Sequence, residues 1–272
     1  MRKISLLLLL APAALAREFW LEAPRLRLAP GDTILLLPQV GDNFAGHPWP
    51  GGPARIQRLT RYGPAADSTA VFASDTLRVT FARPGLHLLA LQTAESFTEL
   101  PGPAFTAYLQ AQGLSRPLAQ RETAGQQAQP GREAYHRCAK TLLQVGNPAT
   151  QSRTLDTTAL RPHHLPLELV PEQNPYRLAS GRSLTVRLLR AGLPVAGGLV
   201  QVWQRQPAGL ATTHFATRTN AAGRVIIKLL GPGPYLLAAV AMQPAPPTLR
   251  PRADWQSVWA SLTFGGPAAA NH

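Results

Sequence analysis

The chain has 272 residues, 45% of them hydrophobic, and carries a formal charge of +13. Its single cysteine, Cys138, excludes an internal disulfide and any metal site built from several cysteines. The charge comes mainly from scattered arginines, and no basic run is interleaved with aromatic residues. We therefore expect no nucleic-acid partner. An anionic envelope surface is the partner that such a charge favours. Scattered arginine without a partner is the alternative.

The first sixteen residues have the pattern of a secretory signal peptide. Arg2 and Lys3 precede a short apolar run over residues 4–10, and Ala14-Leu15-Ala16 gives a small-x-small cleavage site. The apolar run is shorter than the ~20 residues that a membrane-spanning helix needs. We expect a mature chain that begins at Arg17 and a periplasmic or secreted location, with an uncleaved N-terminal anchor as the alternative.

Prolines and glycines divide the rest of the chain into short segments, most of which alternate in the manner of β-strands. Strands are predicted in the first half at residues 25–28, 34–37, 76–81 and 86–93. Pro103, apolar residues at helical spacing and Gly113 predict one short helix. Residues 115–132 and 151–162 are polar and are predicted to be loops, the first of them mobile.

The second half predicts strands at residues 184–189, 199–203, 215–218, 225–229, 235–241 and 258–264. Residues 84–90 resemble residues 232–238, and residues 30–34 resemble residues 180–184 at nearly equal spacing. This weak repeat favours two related β-sandwiches over one large barrel. We predict an all-β protein with one short inter-domain helix, sandwich domains at 17–164 and 165–265, and a disordered tail at 266–272.

No motif in the chain indicates catalysis. Gly-x-Ser-x-Gly and phosphate-binding loops are absent. Cys138 and His136 fall on one face of a strand, but a buried thiol is the interpretation that we favour over a nucleophile. We therefore expect a protein that is not an enzyme.

Seven histidines raise the question of a metal site, although none has the spacing of a chelating pair. His47 with Asp42 is one candidate, assembled from a loop. His163 and His164 are the other candidates, although adjacent residues on a strand point to opposite faces. Trp49, in a loop rich in proline and glycine, and Trp20 are the candidate aromatic ligand contacts, because exposed aromatic rings stack on sugars.

Short motifs are spread along nearly the whole mature chain. They are Glu18-Phe19-Trp20-Leu21-Glu22, Val40-Gly41-Asp42-Asn43-Phe44-Ala45-Gly46, Tyr108-Leu109 with Gly113-Leu114, Ala139-Lys140-Thr141-Leu142, residues 166–171, Asn174-Pro175-Tyr176 and Trp259-Ala260-Ser261-Leu262. Together they resemble a bacterial periplasmic family of domains of unknown function that is associated with nickel and cobalt uptake. Residues 197–200, 220–224 and 233–235 also resemble a transthyretin-like or carboxypeptidase-regulatory-like sandwich. We therefore expect the two predicted domains to be immunoglobulin-like or transthyretin-like β-sandwiches.

The resemblance implies a periplasmic component of a nickel or cobalt transport system, with a membrane transporter or another envelope protein as its partner. Members of the family begin their mature chain with a histidine, where this chain has Arg17, and Ala241 stands where a second histidine is expected. We expect no metal ligand at either position. The leading hypothesis is a non-catalytic binding or accessory protein. The alternatives are a structural or adhesive envelope module and a carbohydrate-binding module.

Overall fold

The computed structural model describes residues 18–64, 67–71, 77–206 and 211–268. The predicted signal peptide, Arg17 and residues 269–272 of the predicted tail lie outside these residues. No helix among the described residues is long and apolar enough to cross a membrane. Half of the described residues lie in β-strands and few in helices, and the prediction of an all-β, sandwich-like fold is confirmed.

The strands follow one another along the chain with short turns between most of them. They are β1 (Glu18–Glu22), β2 (Arg27–Leu28), β3 (Asp32–Asp42), β4 (Ala45–Pro48), β5 (Ile56–Tyr62), β6 (Ser68–Ala70), β7 (Leu77–Phe81), β8 (Gly85–Thr93), β9 (Ser96–Leu100), β10 (Gly131–Val145), β11 (Leu167–Pro171), β12 (Ser183–Arg190), β13 (Leu193–Pro194), β14 (Leu199–Gln204), β15 (Thr213–Arg218), β16 (Arg224–Lys228), β17 (Pro234–Pro244) and β18 (Trp255–Gly265). The α-helices are α1 (Gly102–Ala111) and α2 (Ser115–Thr123), and short 3-10 turns occupy Pro53–Arg55, Pro148–Thr150, Arg153–Asp156 and Pro175–Arg177.

A ten-stranded sheet runs through both halves of the chain. Its main path is β15-β14-β17-β18-β10-β8-β5-β6, and β2 and β9 also pair with β10. The two halves meet where β10 pairs in parallel with β18, from Glu133 opposite Trp255 to Thr141 opposite Thr263. All other neighbours on the main path are antiparallel.

The repeat seen in the sequence corresponds to a repeat in strand pairing. In the first half β1 pairs with β3 and β3 with β7, while in the second half β11 pairs with β12 and β12 with β16. The glycines of the repeat have the same role: Gly31 donates its backbone N–H to Phe81 O, and Gly181 donates to Leu229 O. The predicted boundary at 164/165 falls just before β11, and the division into two domains stays a prediction.

The two small sheets pack on opposite faces of the ten-stranded sheet. Along β8, Leu86 and Leu88 belong to the core cluster that contains β11, β12 and β16. Leu89 and Leu91 belong to the cluster under β1, β3 and β7. Because successive residues of a strand point to opposite faces, one strand supplies both cores. This explains why β8 is apolar almost throughout instead of alternating.

The predicted mobile loop at residues 115–132 is wrong in its first part, which forms α2. A buried arginine explains the difference: the guanidinium of Arg121 donates to Gln126 O and Gln129 O, both at 2.6 Å, and lies 5.0 Å from the ring centroid of Phe105. The polar segment is therefore held by hydrogen bonds and not by an apolar stripe.

The predicted loop at 151–162 likewise contains a 3-10 turn at Arg153–Asp156. Gly266, at the start of the predicted tail, donates its N–H to Gly233 O at 2.7 Å.

Candidate functional site

A pocket of about 240 Å³ lies where β1, the β3–β4 turn, α1 and strands β14 and β15 meet. The polar and aromatic side chains that dominate its lining are Glu18, Asp42, Tyr108, Gln201, Trp203 and His214. We call it the Glu18 pocket. It combines residues from both halves of the sequence, so that only the folded chain brings them together.

Two features of the N-terminal segment place the carboxylates. Strand β1 pairs with β3 so that Glu18 lies opposite Gly41, which is followed directly by Asp42. The chain then turns through Asn43 and Phe44, whose φ angles are 53° and 58°. Two consecutive residues in the left-handed region are typical of a tight two-residue hairpin turn. The turn therefore holds Asp42 and Asn43 at the rim of the pocket.

A phenylalanine is an unusual residue at a positive φ, because the left-handed region is strained for a bulky side chain. Packing of Phe44 offsets the strain here. Its side chain is buried in a cluster with Trp20, Trp203 and Leu236, and its ring lies 5.4 Å from that of Trp20, edge to face. Arg205 covers it at 4.1 Å and donates to its carbonyl at 2.8 Å. The contacts of Phe44 with buried side chains and with Arg205 thus hold the turn beside the pocket in place.

Strands β14 and β15 form one wall. Trp203 lies opposite His214 in the antiparallel register, and the two rings stack with centroids 4.9 Å apart. Next to them, Gln201 donates from Nε2 to Gln112 Oε1 at 3.0 Å, and its Oε1 lies 3.2 Å from His214 Nε2. Burial lowers the pKa of His214. These side-chain contacts from Gln112 through Gln201 to His214 link the end of α1 to the edge of the ten-stranded sheet and fix the shape of this wall.

Glu18 is a buried carboxylate with a strongly raised pKa. Its side chain is only 7% exposed, and burial raises its pKa to about 7, with Asp42 adding to the rise. Oε2 of Glu18 is buried and has no hydrogen-bond partner among the described residues. A buried carboxylate oxygen without a partner disfavours the ionised form. Glu18 is therefore poised between its protonated and ionised forms near neutral pH.

A second unpartnered polar atom belongs to the same pocket. Trp203 is 2% exposed, and its Nε1 has no hydrogen-bond acceptor among the described residues. Tyr108, by contrast, donates from its hydroxyl to Glu133 Oε1 at 3.2 Å. Buried polar groups in folded proteins are nearly always paired, and each exception calls for an explanation. One unpaired acceptor and one unpaired donor thus belong to side chains lining a single small cavity.

The predicted pair of Asp42 and His47 is divided by the hairpin. Asp42 lines the Glu18 pocket, whereas His47 lies on β4 opposite Val40, where its Nδ1 is 3.2 Å from Pro48 O. His47 does not line the pocket. Glu18, which lines the pocket beside Asp42, is buried. The even spacing of Glu18, Trp20 and Glu22 was the signal for a shared face, and Glu22 accepts from Trp20 Nε1 at 2.5 Å.

His163 and His164 act through their backbone. Both donate N–H groups to the buried carboxylate of Glu168, at 3.0 Å and 3.2 Å, and Glu168 also pairs with Lys140 Nζ at 2.5 Å. The His163 ring lies 3.8 Å from the ring of Tyr62. Burial lowers the pKa of His163 to about 3, and the nearby ammonium of Lys140 contributes. The structure thus places these two residues at a buried ion pair.

The two predicted aromatic contacts lie in different surroundings. Trp20 is 1% exposed within the core cluster of Phe44 and Trp203. Trp49 is partly exposed, packs edge to face on Phe19 at 5.3 Å, and lines an open cleft that is separate from the Glu18 pocket.

Cys138 is a buried thiol. Burial raises its pKa to about 12, so that it stays protonated at neutral pH. Across residues 18–64, 67–71, 77–206 and 211–268, no three or more His, Cys, Asp or Glu side chains form a group that could hold a metal ion.

A family model described as "Domain of unknown function (DUF4198)" matches residues 14–243. The chain belongs to the DUF4198 family. The match includes Glu18, Asp42, Trp203 and His214, so that the Glu18 pocket lies within the part of the chain that defines DUF4198 membership. No curated protein matches this DUF4198 sequence.

Solved structures give only distant similarities to this DUF4198 protein. Three N-terminal domains of the Hoc outer capsid protein of bacteriophage RB49 are 9% identical, covering 94% of this chain and all of theirs, with a TM-score of 0.23. A tandem repeat from the extending region of a large adhesion protein is 13% identical over 91% of this chain and 49% of its own, with a TM-score of 0.21. Chicken CNTN1 FN1–FN3 domains are 9% identical over 93% and 67%, with a TM-score of 0.18. Scores this low carry no argument about fold or function.

Proposed function

We propose that the protein is a non-catalytic binding protein of the cell envelope that takes a small cation in the Glu18 pocket. The observation that carries the proposal is the buried carboxylate oxygen Glu18 Oε2, which has no hydrogen-bond partner among the described residues and belongs to a side chain that lines the cavity. Leaving a buried polar group unpaired costs about 1–3 kcal/mol. A cation that pairs with Glu18 Oε2 recovers that cost as binding free energy.

Charge favours a cation as the ligand. The chain as a whole is strongly basic, yet the lining of the Glu18 pocket contains two carboxylates, Glu18 and Asp42, and no lysine or arginine. The rings of Tyr108, Trp203 and His214 complete the wall, and aromatic rings attract cations through their electron-rich faces. The volume of about 240 Å³ is below the range of drug-sized ligands, so the pocket suits a small ion or amine.

The envelope location rests on the signal-peptide pattern of residues 1–16, and a role accessory to transport rests on the resemblance described above. Nickel and cobalt are the cations that the resemblance implies. Carboxylate and imidazole groups are suitable ligands for both, and Glu18, Asp42 and His214 supply these types. A bare metal ion requires these side chains to converge further, whereas a small ammonium ion needs only the carboxylate of Glu18 as acceptor and the faces of the rings.

Calorimetric titration of the mature protein with nickel, cobalt and ethylammonium tests the proposal. We expect at least one of these cations to bind, and Glu18→Gln to weaken that binding at least about tenfold, which corresponds to about 1.4 kcal/mol. Because a cation favours the ionised carboxylate and burial raises the pKa of Glu18 to about 7, affinity should fall about tenfold from pH 8 to pH 6. The Gln variant should lose this pH dependence.

Glu99→Gln is the matched control, since it removes an exposed carboxylate from β9, away from the pocket. Binding that is equally weakened by Glu99→Gln contradicts the site. No binding of any probe at pH 8 contradicts the function and favours a structural or adhesive envelope module.

A further inference from the structure

A second, chemically different cleft lies on the surface beside Trp49. It has a volume of about 760 Å³ and is formed by the segment after β4, the start of β9, β10 and the loop that precedes β18. We call it the Trp49 cleft. The residues that give it its character are Trp49, Arg55, Glu95, Phe97, Tyr135 and Arg252. Its aromatic and guanidinium groups come from separate parts of the chain, as the Glu18 pocket residues do.

The two arginines of the cleft are held in place by contacts that involve no carboxylate group. Arg55 donates from Nη2 to the backbone carbonyl of Glu95 at 2.7 Å and to Ser96 Oγ at 2.6 Å. The guanidinium of Arg252 lies 3.6 Å from the ring centroid of Phe97. A guanidinium stacked on a ring keeps its N–H edge available, and that edge matches a carboxylate or phosphate group with two parallel hydrogen bonds.

The aromatic residues supply a different kind of surface. Trp49 is partly exposed, and an edge-to-face contact with Phe19 fixes the orientation of its ring, with 5.3 Å between the two ring centroids. Tyr135 is also partly exposed and is backed by Arg137, whose guanidinium is 4.8 Å from the Tyr135 ring centroid. Rigid aromatic rings beside polar groups suit ligands that have both an apolar face and hydroxyl groups. Sugar rings have this character.

We propose that the Trp49 cleft binds an anionic saccharide, with Trp49 stacking on a sugar ring and Arg55 and Arg252 pairing with its acidic groups. The cleft has two arginines against one acid, Glu95, so its charge favours an acidic sugar over a neutral one. Its volume of about 760 Å³ accommodates more than one sugar unit. This function is independent of cation binding in the Glu18 pocket, and either can fail alone.

Titration with three probes of similar length separates the contributions. The first probe, hexagalacturonate, is an acidic saccharide. The second, maltohexaose, is a neutral saccharide, and the third, hexaglutamate, is acidic but has no sugar ring. We expect hexagalacturonate to bind at least about tenfold more tightly than either of the others. Arg252→Ala should weaken hexagalacturonate binding about tenfold, and Trp49→Phe should weaken it while leaving hexaglutamate unchanged.

Arg182→Ala is the matched control, because it removes an exposed arginine that does not line the cleft. Arg182 precedes β12, which belongs to the small sheet of the second half. Thermal melts of all variants establish that they fold, and Trp49→Phe preserves most of the packing on Phe19. Equal binding of hexagalacturonate and hexaglutamate, with Arg182→Ala as harmful as Arg252→Ala, overturns the proposal in favour of diffuse attraction by the basic surface. No binding of hexagalacturonate also overturns it.

Discussion

Replacing Glu168 with glutamine is expected to destabilise the fold by about 3–5 kcal/mol. The carboxylate of Glu168 is fully buried and pairs with Lys140 Nζ at 2.5 Å. Glutamine keeps the size and an oxygen for the N–H groups of His163 and His164, but it removes the negative charge. The ammonium of Lys140 is then left buried without its counter-ion, and removing one partner of a buried pair is far more harmful than removing both. Urea unfolding at pH 7 measures the change.

A second substitution makes this prediction specific. In the double variant Lys140→Met/Glu168→Gln, no unpaired charge remains, and we expect most of the lost stability to return. Met is close to Lys in length and suits an apolar core. A single variant within about 1 kcal/mol of the parent protein, or a double variant less stable than Glu168→Gln alone, contradicts the role assigned to the pair.

His163→Phe is expected to make the protein less sensitive to acid. Burial lowers the pKa of His163 in the folded protein to about 3, against 6.5 for the free side chain. The folded state therefore binds fewer protons than the unfolded state between these pH values, so the stability from neutral His163 is present above pH 6.5 and is lost as the pH falls towards 3. Between pH 7 and pH 4 the parent protein should lose about 3 kcal/mol relative to the Phe variant.

Phenylalanine is the informative replacement, because it keeps a ring against Tyr62 and removes a side chain whose Nε2 is buried and unpartnered. His47→Gln removes an imidazole from the exposed strand β4 and is the control. Unfolding curves of the three proteins at pH 4, 5, 6 and 7 give the comparison. If the parent and the Phe variant lose stability in parallel, His163 is not the source of the acid sensitivity.

Periodicity and turn residues predicted most strands of the second half, because β12, β14 and β16 are short and bounded by turns. They could not predict that β10 and β18 pair in parallel, since nothing local to either strand specifies a partner in the other half. Helix α2 was missed because its stability depends on the carbonyls that Arg121 reaches after the helix ends, and not on an apolar stripe.

The candidate site was less predictable than the fold. Asp42 was a candidate only as a partner of His47, whereas its neighbours in the pocket, Glu18, Trp203 and His214, come from three other strands. The burial of Glu18 depends on segments far along the chain, which alternation within β1 does not encode. His163 and His164 were noticed for their rings, whereas the structure uses their backbone N–H groups.

The parallel pairing of β10 with β18 also constrains how the chain can fold. Strand β18 is the last of the described strands, and it fills the gap between β10 and β17 in the ten-stranded sheet. A chain that emerges from its N-terminus presents both of these long strands as open edges until β18 is added, and such edges template aggregation. Contacts between segments so far apart in sequence also form slowly. The interval before β18 has docked is therefore the stage of folding at which this protein is most exposed to aggregation.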